Sequence, residues 1–312
     1  MPDYTKFPNL HPTIQNGKKM PIRSAFVQFY EGDENGEPRG GAPIVSLNGL
    51  NTRFSVEENF GGCFPKATIE VCNTNNATRD FLTNYMNFRD LQYSRRVVRL
   101  YAGYLQPGQG WKDTPYIFGG NVLFTKFTEP PDIWISMDVI YKEIASALMP
   151  QQWSIKGVSN ATDILTECAK RLKVGLNIRD TPPQSITNFR ADGDGKRLLR
   201  QLRNYFVGYA IYITPDNKLT ITKITRDAPA PGETIWAARE DTGMVGIPIV
   251  ERWGVELKML LNADMKPGDW VKLTSKNQPM ADSLYRIRRV THSGELRGND
   301  FFTSIEAYRP LS

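Results

Sequence analysis

The feature that most constrains this chain is a period-two alternation of apolar residues in short runs, interrupted by glycine- and proline-rich turns. Residues 25–30 (AFVQFY), 67–72 (ATIEVC), 97–102 (VVRLYA), 121–127 (NVLFTKF) and 133–139 (IWISMDV) all show it. Successive strand side chains point to opposite faces, so each run reads as a strand with one buried side. In the last run Ile133, Ile135, Met137 and Val139 share that side. The intervening segments 31–41 (EGDENGEPRGG) and 105–115 (LQPGQGWKDTP), and the pair Pro130-Pro131, suit connections that a central strand could not contain. One helix is expected among them, over 76–88, with Phe81, Leu82, Tyr85 and Phe88 at helical spacing.

After Pro150 the period changes. Residues 159–175 (SNATDILTECAKRLKVG) predict a helix capped by Asn160, with Asp163 at its positive end and Gly175 in the left-handed position that stops it. A second helix, 196–206, buries Leu198, Leu199, Leu202 and Tyr205, and leads into a hairpin of 209–214 and 218–224 around Pro215-Asp216-Asn217. Strands resume at 246–250, 255–261, 269–275, 284–291 and 300–307. The chain therefore reads as mainly β with α+β character, in which two barrel-like antiparallel β domains flank a small α/β domain. The expected divisions are an extended, proline-containing arm (1–21), a first β unit (22–148), the α/β unit (149–240) and a second β unit (241–312).

Composition narrows the function classes. With 40% apolar residues, 15 Phe, 13 Tyr and 6 Trp the chain can fill several cores, and 312 residues exceed the usual size of one. No run approaches the roughly 20 apolar residues of a membrane-spanning helix, and the first 20 residues lack a signal-peptide core, so neither spanning nor standard secretion is expected. Cys63, Cys72 and Cys168 have no C-x-x-C spacing and no histidine nearby in sequence, which argues against a disulfide framework or a zinc site. The net charge of +6 lies wholly in the second half and forms no basic block, as for a solvated surface.

Motifs for catalysis are missing. The two histidines, His11 and His292, sit in no nucleophile arrangement, and there is no G-x-S-x-G, H-E-x-x-H or Walker-type loop. Asp192-Gly193-Asp194-Gly195-Lys196 resembles a calcium or phosphate loop at first sight. It lacks the later ligands of the one and the following Ser or Thr of the other, so a turn capping the next helix is expected. The acidic run Glu31, Asp33, Glu34, Glu37 reads as a solvated hairpin tip, and Glu57-Glu58 as strand neighbours whose carboxylates diverge. Arg286 and Arg288 alternate on one strand face with Arg289 opposite, and Arg95, Arg96 and Arg99 form a second basic stretch. These six arginines are the candidate subunit or partner contacts, read as meeting acidic protein surfaces rather than nucleic acid.

Segments in both β units resemble one known family. ATIEVCNTNNATRDFLTNY at 67–85, VVRLYAGY at 97–104 and IFGGNVLFTKF at 117–127 look like successive elements of the hub of contractile phage tails and related injection machines, through Asn73, Gly103, Tyr104, Ile117, Phe118 and Gly120. GMVGIPIVERWGVELKMLLNADMKPGDWVKLTS at 243–275 is similar to that family's later hairpin and turn, through Asn262, Lys266, Pro267 and Gly268. The resemblance implies a structural baseplate protein without active site or cofactor. It further implies a homotrimer joining the sixfold tail tube to the threefold central spike. Its partners would then be copies of itself, the spike protein, a tube or tube-initiator protein and other baseplate proteins, with a lumen that DNA would traverse. The implied location is the virion, after assembly in the host cytoplasm. A tail-associated cell-wall hydrolase and a nucleic-acid-binding module are the competing readings.

Overall fold

A computed structural model describes residues 14–15, 18–19, 22–33, 37–60, 65–83, 86–87, 92–93, 96–141, 152–214, 218–224, 228–229 and 233–309. Most of the expected N-terminal arm, His11, Glu34, Cys63, Arg95 and the turn at 215–217 lie outside these residues. After a two-residue ladder, β1 (Ile14–Gln15) with β2 (Lys18–Lys19), come β3 (Ile22–Glu31), β4 (Val45–Asn48), β5 (Thr52–Asn59) and β6 (Lys66–Cys72). The helix Asn76–Thr83 follows, with Thr78 N–H bonded to Asn75 Oδ1 at 2.8 Å. It is shorter than the expected 76–88, because Met86–Asn87 (β7) pairs with Gln92–Tyr93 (β8) instead of continuing the helix. Then come β9 (Arg96–Leu105), β10 (Tyr116–Phe127) and β11 (Trp134–Tyr141).

The central segment holds β12 (Trp153–Asn160), the helix Ala161–Leu172, β13 (Gly175–Ile178), β14 (Ser185–Ala191), the helix Gly195–Tyr205, β15 (Tyr209–Thr214) and β16 (Lys218–Lys223). Both helices have their expected caps: Asn160 accepts from Asp163 N–H at 2.9 Å and Asp194 from Arg197 N–H at 2.7 Å. The second bond accounts for the Asp-Gly-Asp-Gly-Lys run as a turn and cap. The first helix, however, ends on Lys173, which itself adopts the left-handed conformation at φ 54°. Gly175 is already the first residue of a strand in parallel register with Lys218. The unit packs around its own core, including Ile164, Leu165, Phe189, Leu199, Leu202 and Phe206.

The last segment comprises β17 (Ile235–Ala238), β18 (Met244–Glu251), β19 (Gly254–Leu260), β20 (Trp270–Leu273), β21 (Ser283–Glu295) and β22 (Phe301–Tyr308). β17 runs parallel to β20, and its Ala238 joins a core with Leu257, Met259, Ile287 and Ile305. The mainly-β character is as the sequence predicts. What alternation could not specify is that both β segments belong to one sheet, ordered β18-β19-β22-β21-β5-β6-β11-β10-β9-β3-β4, with β20 and β17 attached beside β21. The connection is β21, 13 residues long: its first residues pair with β20, while Arg289–Glu295 pair with β5. The far end of this hairpin enters the first segment, where Phe301 and Leu261 complete a core of Phe29, Ile69, Phe118 and Met137. Tyr104 Oη donates to the Phe301 carbonyl across that contact at 3.0 Å.

Candidate assembly surface and interdomain junction

Three packing units meet at the turn Lys266-Pro267-Gly268. Gly268 has φ +96°, and a Cβ there would lie 2.9 Å from Tyr212 Oη, 3.1 Å from Arg179 Nη1 and 3.2 Å from Phe60 Cε1. Glycine is required on both counts, since an L side chain is strained at that φ and would occupy space held by neighbours. Phe60 comes from the end of β5, Tyr212 and Arg179 from the α/β unit, and the turn from the last segment. Tyr212 Oη donates to the Pro267 carbonyl at 3.0 Å, and Tyr308 Oη to the Ile224 carbonyl at 2.9 Å. Burial pushes the Tyr212 phenol well above its ordinary range, so it serves as a neutral donor.

Arg286 lies at the centre of this junction, with 0% exposure. Its guanidinium donates to the Lys223 carbonyl and to Thr222 Oγ1, and its Nε to the Gly268 carbonyl at 3.5 Å. Thr222 Oγ1 passes the link on to Asp180 Oδ2 at 2.9 Å. Rings of Phe60 and Trp270 each lie 5.6 Å from the guanidinium carbon. Asp269 beside the turn accepts from Trp236 Nε1 at 3.1 Å and from Lys266 N–H at 3.2 Å. Burial nonetheless raises its pKa, those donors only partly offsetting the desolvation.

The expectation that Arg286 and Arg288 share one strand face is not met. A β-bulge between Ile287 and Arg289 shifts the register against β22, so alternation fails across the run. Arg286 is turned into the junction, Arg288 is exposed, and Arg289 is half-buried between Glu306 Oε1 (2.6 Å) and Glu57 Oε1 (3.6 Å) of the neighbouring strands. In the other basic stretch, Arg96 is buried, its Nε donating to the Phe81 carbonyl at 2.8 Å with its charge over the Phe81 ring. Arg99 is half-buried over the ring of Tyr30, and Arg95 lies outside the described residues. Four of the five described arginines thus have partners within the chain.

Sequence reasoning did not single out the surface that most resembles a contact face. At one end of the sheet, β18 pairs among the described residues with β19 alone, and it exposes Val245, Ile247, Ile249 and Val250, with Trp253 following at 64% exposure. The ladder to β19 is irregular between Val245 and Ile249, where Gly246 has φ +78° and Pro248 cannot donate. The available signal was the run GIPIV, apolar on both faces with proline inside it, which suits an edge strand. An apolar edge of this kind is a surface on which another chain can pair or pack.

The positions that carried the family resemblance hold the fold. Asn73, at φ 52°, bonds Asp132 Oδ1 through Nδ2 and Ile133 N–H through Oδ1. A Cβ on Gly120 would sit 2.1 Å from the Ile140 carbonyl oxygen. Asn262 N–H donates to Thr303 Oγ1 at 2.9 Å.

Residues 40–307 match the protein family described as baseplate hub gp41. Among solved structures, the tail protein from Neisseria meningitidis MC58 superposes with a TM-score of 0.60 at 9% identity, over 91% of this chain and 96% of that one. The 43 kDa tail protein of prophage MuSo2 from Shewanella oneidensis gives 0.57 at 11% identity, over 92% and 99%. A type VI secretion component of E. coli, described as structurally similar to the T4 bacteriophage tail proteins gp27 and gp5, gives 0.55 at 10% identity, over 84% and 74%. At such identities the likeness is one of fold. No curated protein sequence matches the chain.

Proposed function

The chain belongs to the baseplate hub gp41 family, and from that premise we propose that it forms the homotrimeric ring joining the tail tube to the central spike. The observation that carries this reading is the continuous sheet: each chain contributes two β segments locked together through β21 and β5. Three chains then present six β units, a number that suits a sixfold tube above and a threefold spike below. In this reading 22–148 and 241–312, the latter joined by β17, are the tube domains, with the rest of 149–240 between them. The buried junction at Gly268 and Arg286 keeps the units of one chain in fixed relation, and the apolar edge at β18 meets a neighbouring copy. Its role is to hold partners, not to turn over a substrate, and its place is the virion baseplate after assembly in the host cytoplasm.

Light-scattering mass measurement of the purified chain, alone and mixed with the spike protein of the same particle, tests the reading. We expect a species of three chains that binds one trimeric spike, and dissociation when Ile249→Lys and Val250→Lys place charges on the edge. A wild-type monomer indifferent to the spike overturns it.

A further inference from the structure

Charge is divided among the three units very unevenly. Residues 152–224 hold 12 Lys and Arg against 6 Asp and Glu, while the rest of the chain holds 27 against 27. Residues 152–224 therefore carry a surplus of +6 and the rest of the chain is balanced. The clearest concentration of that surplus is the helix Gly195–Tyr205, which buries Leu198, Leu199 and Leu202. At 100° per residue, Lys196, Arg197 and Arg200 share an arc on the side away from those leucines, with Arg203 at its margin next to Leu199. Lys196, Arg197 and Arg200 are exposed, and Arg203 is half-buried with its guanidinium on the Ile211 carbonyl. Exposed Arg190 borders the stripe, its carbonyl accepting from Gln201 Nε2 of the helix at 2.7 Å.

The carboxylates at the helix start are Asp194, which caps it, and Asp192, whose Oδ2 lies 3.9 Å from Arg197 Nη2. The first turn of the helix itself contains no acidic residue and carries Lys196 and Arg197 at the positive end of the dipole, where anions are favoured. Lys196 and Arg200, four residues apart, repel each other on one face. The neighbouring helix Ala161–Leu172 is arranged the other way, with Asp163 in its first turn and Lys170 and Arg171 in its last. An exposed basic face on the segment that carries the chain's surplus charge fits a surface that meets an acidic partner. The last residue of the helix, Tyr205, is partly exposed, and Val207 just beyond it is highly exposed. An apolar margin beside arginines is the make-up of a protein interface, whereas a phosphate backbone would leave Val207 without a counterpart.

We propose that the outer face of the helix Gly195–Tyr205, centred on Lys196, Arg197 and Arg200, docks an acidic protein surface. The proposal does not depend on trimer formation.

The test uses the full-length chain, a fluorescent decaglutamate peptide and a 20-base-pair DNA duplex as probes, and two neutralised variants. Lys196→Gln with Arg200→Gln changes the stripe; Arg39→Gln with Lys272→Gln removes the same charge from exposed sites elsewhere. We expect the peptide to bind with strong salt dependence, to weaken about tenfold with the first variant, and to be unaffected by the second. We also expect the first variant to melt close to wild type, because both sites are exposed. Equal weakening by both variants reduces the effect to net charge and overturns the proposal. So does tighter, stripe-dependent binding of the duplex, which makes the face a nucleic-acid surface, or a melting temperature several degrees lower, which makes the cations structural. The mass of the species measured in the same samples reports separately on the hub reading.

Discussion

His292 is fully enclosed where β21 lies between β5 and β22, opposite Val56 and Thr303. Its Nδ1 lies 3.0 Å from Thr303 Oγ1. Burial, and then the nearby Lys266 charge, push its pKa down from 6.5 to about 4, a backbone bond to Met265 opposing them weakly. The folded state thus holds the ring neutral, while the unfolded chain takes up a proton below about pH 6.5. Stability supplied by this residue is complete at pH 7.5, is lost as pH falls through 6.5, and stops changing below about 4. Linkage gives a loss of about 2 kcal/mol between pH 7.5 and 5, and about 3 kcal/mol at full extent. The perturbation is His292→Asn, which keeps a polar side chain but removes the titration. Urea unfolding followed by circular dichroism at pH 7.5, 6 and 5 measures it. The variant should be less stable than wild type at pH 7.5 through lost packing, with the gap narrowing by about 2 kcal/mol at pH 5. A gap that stays constant with pH would show that the ring is not held neutral by its surroundings, and the reasoning fails.

Three further outcomes follow from the junction and the cores. Gly268→Ala should destabilise the chain by about 1–3 kcal/mol, since it combines a strained φ with three close contacts; thermal melting checks this, and an unchanged midpoint contradicts it. Arg286→Met should cost about 2–4 kcal/mol, because the Lys223 and Gly268 carbonyls lose a buried donor. Limited proteolysis of that variant should cut between the α/β unit and the last segment before either is degraded. The Cys168 thiol is enclosed in the α/β core and burial drives its pKa far up, so mass spectrometry after treatment with a thiol reagent should find it unmodified until the protein is unfolded.

Legibility varied with how local each feature is. The strand runs at 67–72 and 133–139, both helices of the α/β unit and the 209–224 hairpin are written in neighbouring residues, and the structure has them within a few positions. The strand Thr52–Asn59 was harder to see, although its burial alternates strictly, because Glu58 stands at one of the inward positions where an apolar residue would have marked the face. The arginines were misjudged where a bulge intervened, since a single extra residue on one strand exchanges faces for all that follow.

By itself the sequence determined the class of the fold, the order of its segments, the helix caps and the family, because periodicity, capping and turn chemistry act over a few residues. Tertiary structure alone decided that the two β segments are one sheet, since pairing between Arg289 and Asn59 joins strands 230 positions apart and leaves no trace in either. It also decided that Arg286 is an interior donor while the surplus charge gathers on one helix of the α/β unit. An arginine has the same letter in solvent and in a core; what distinguishes the two is whether neighbouring chain supplies the carbonyls that replace water.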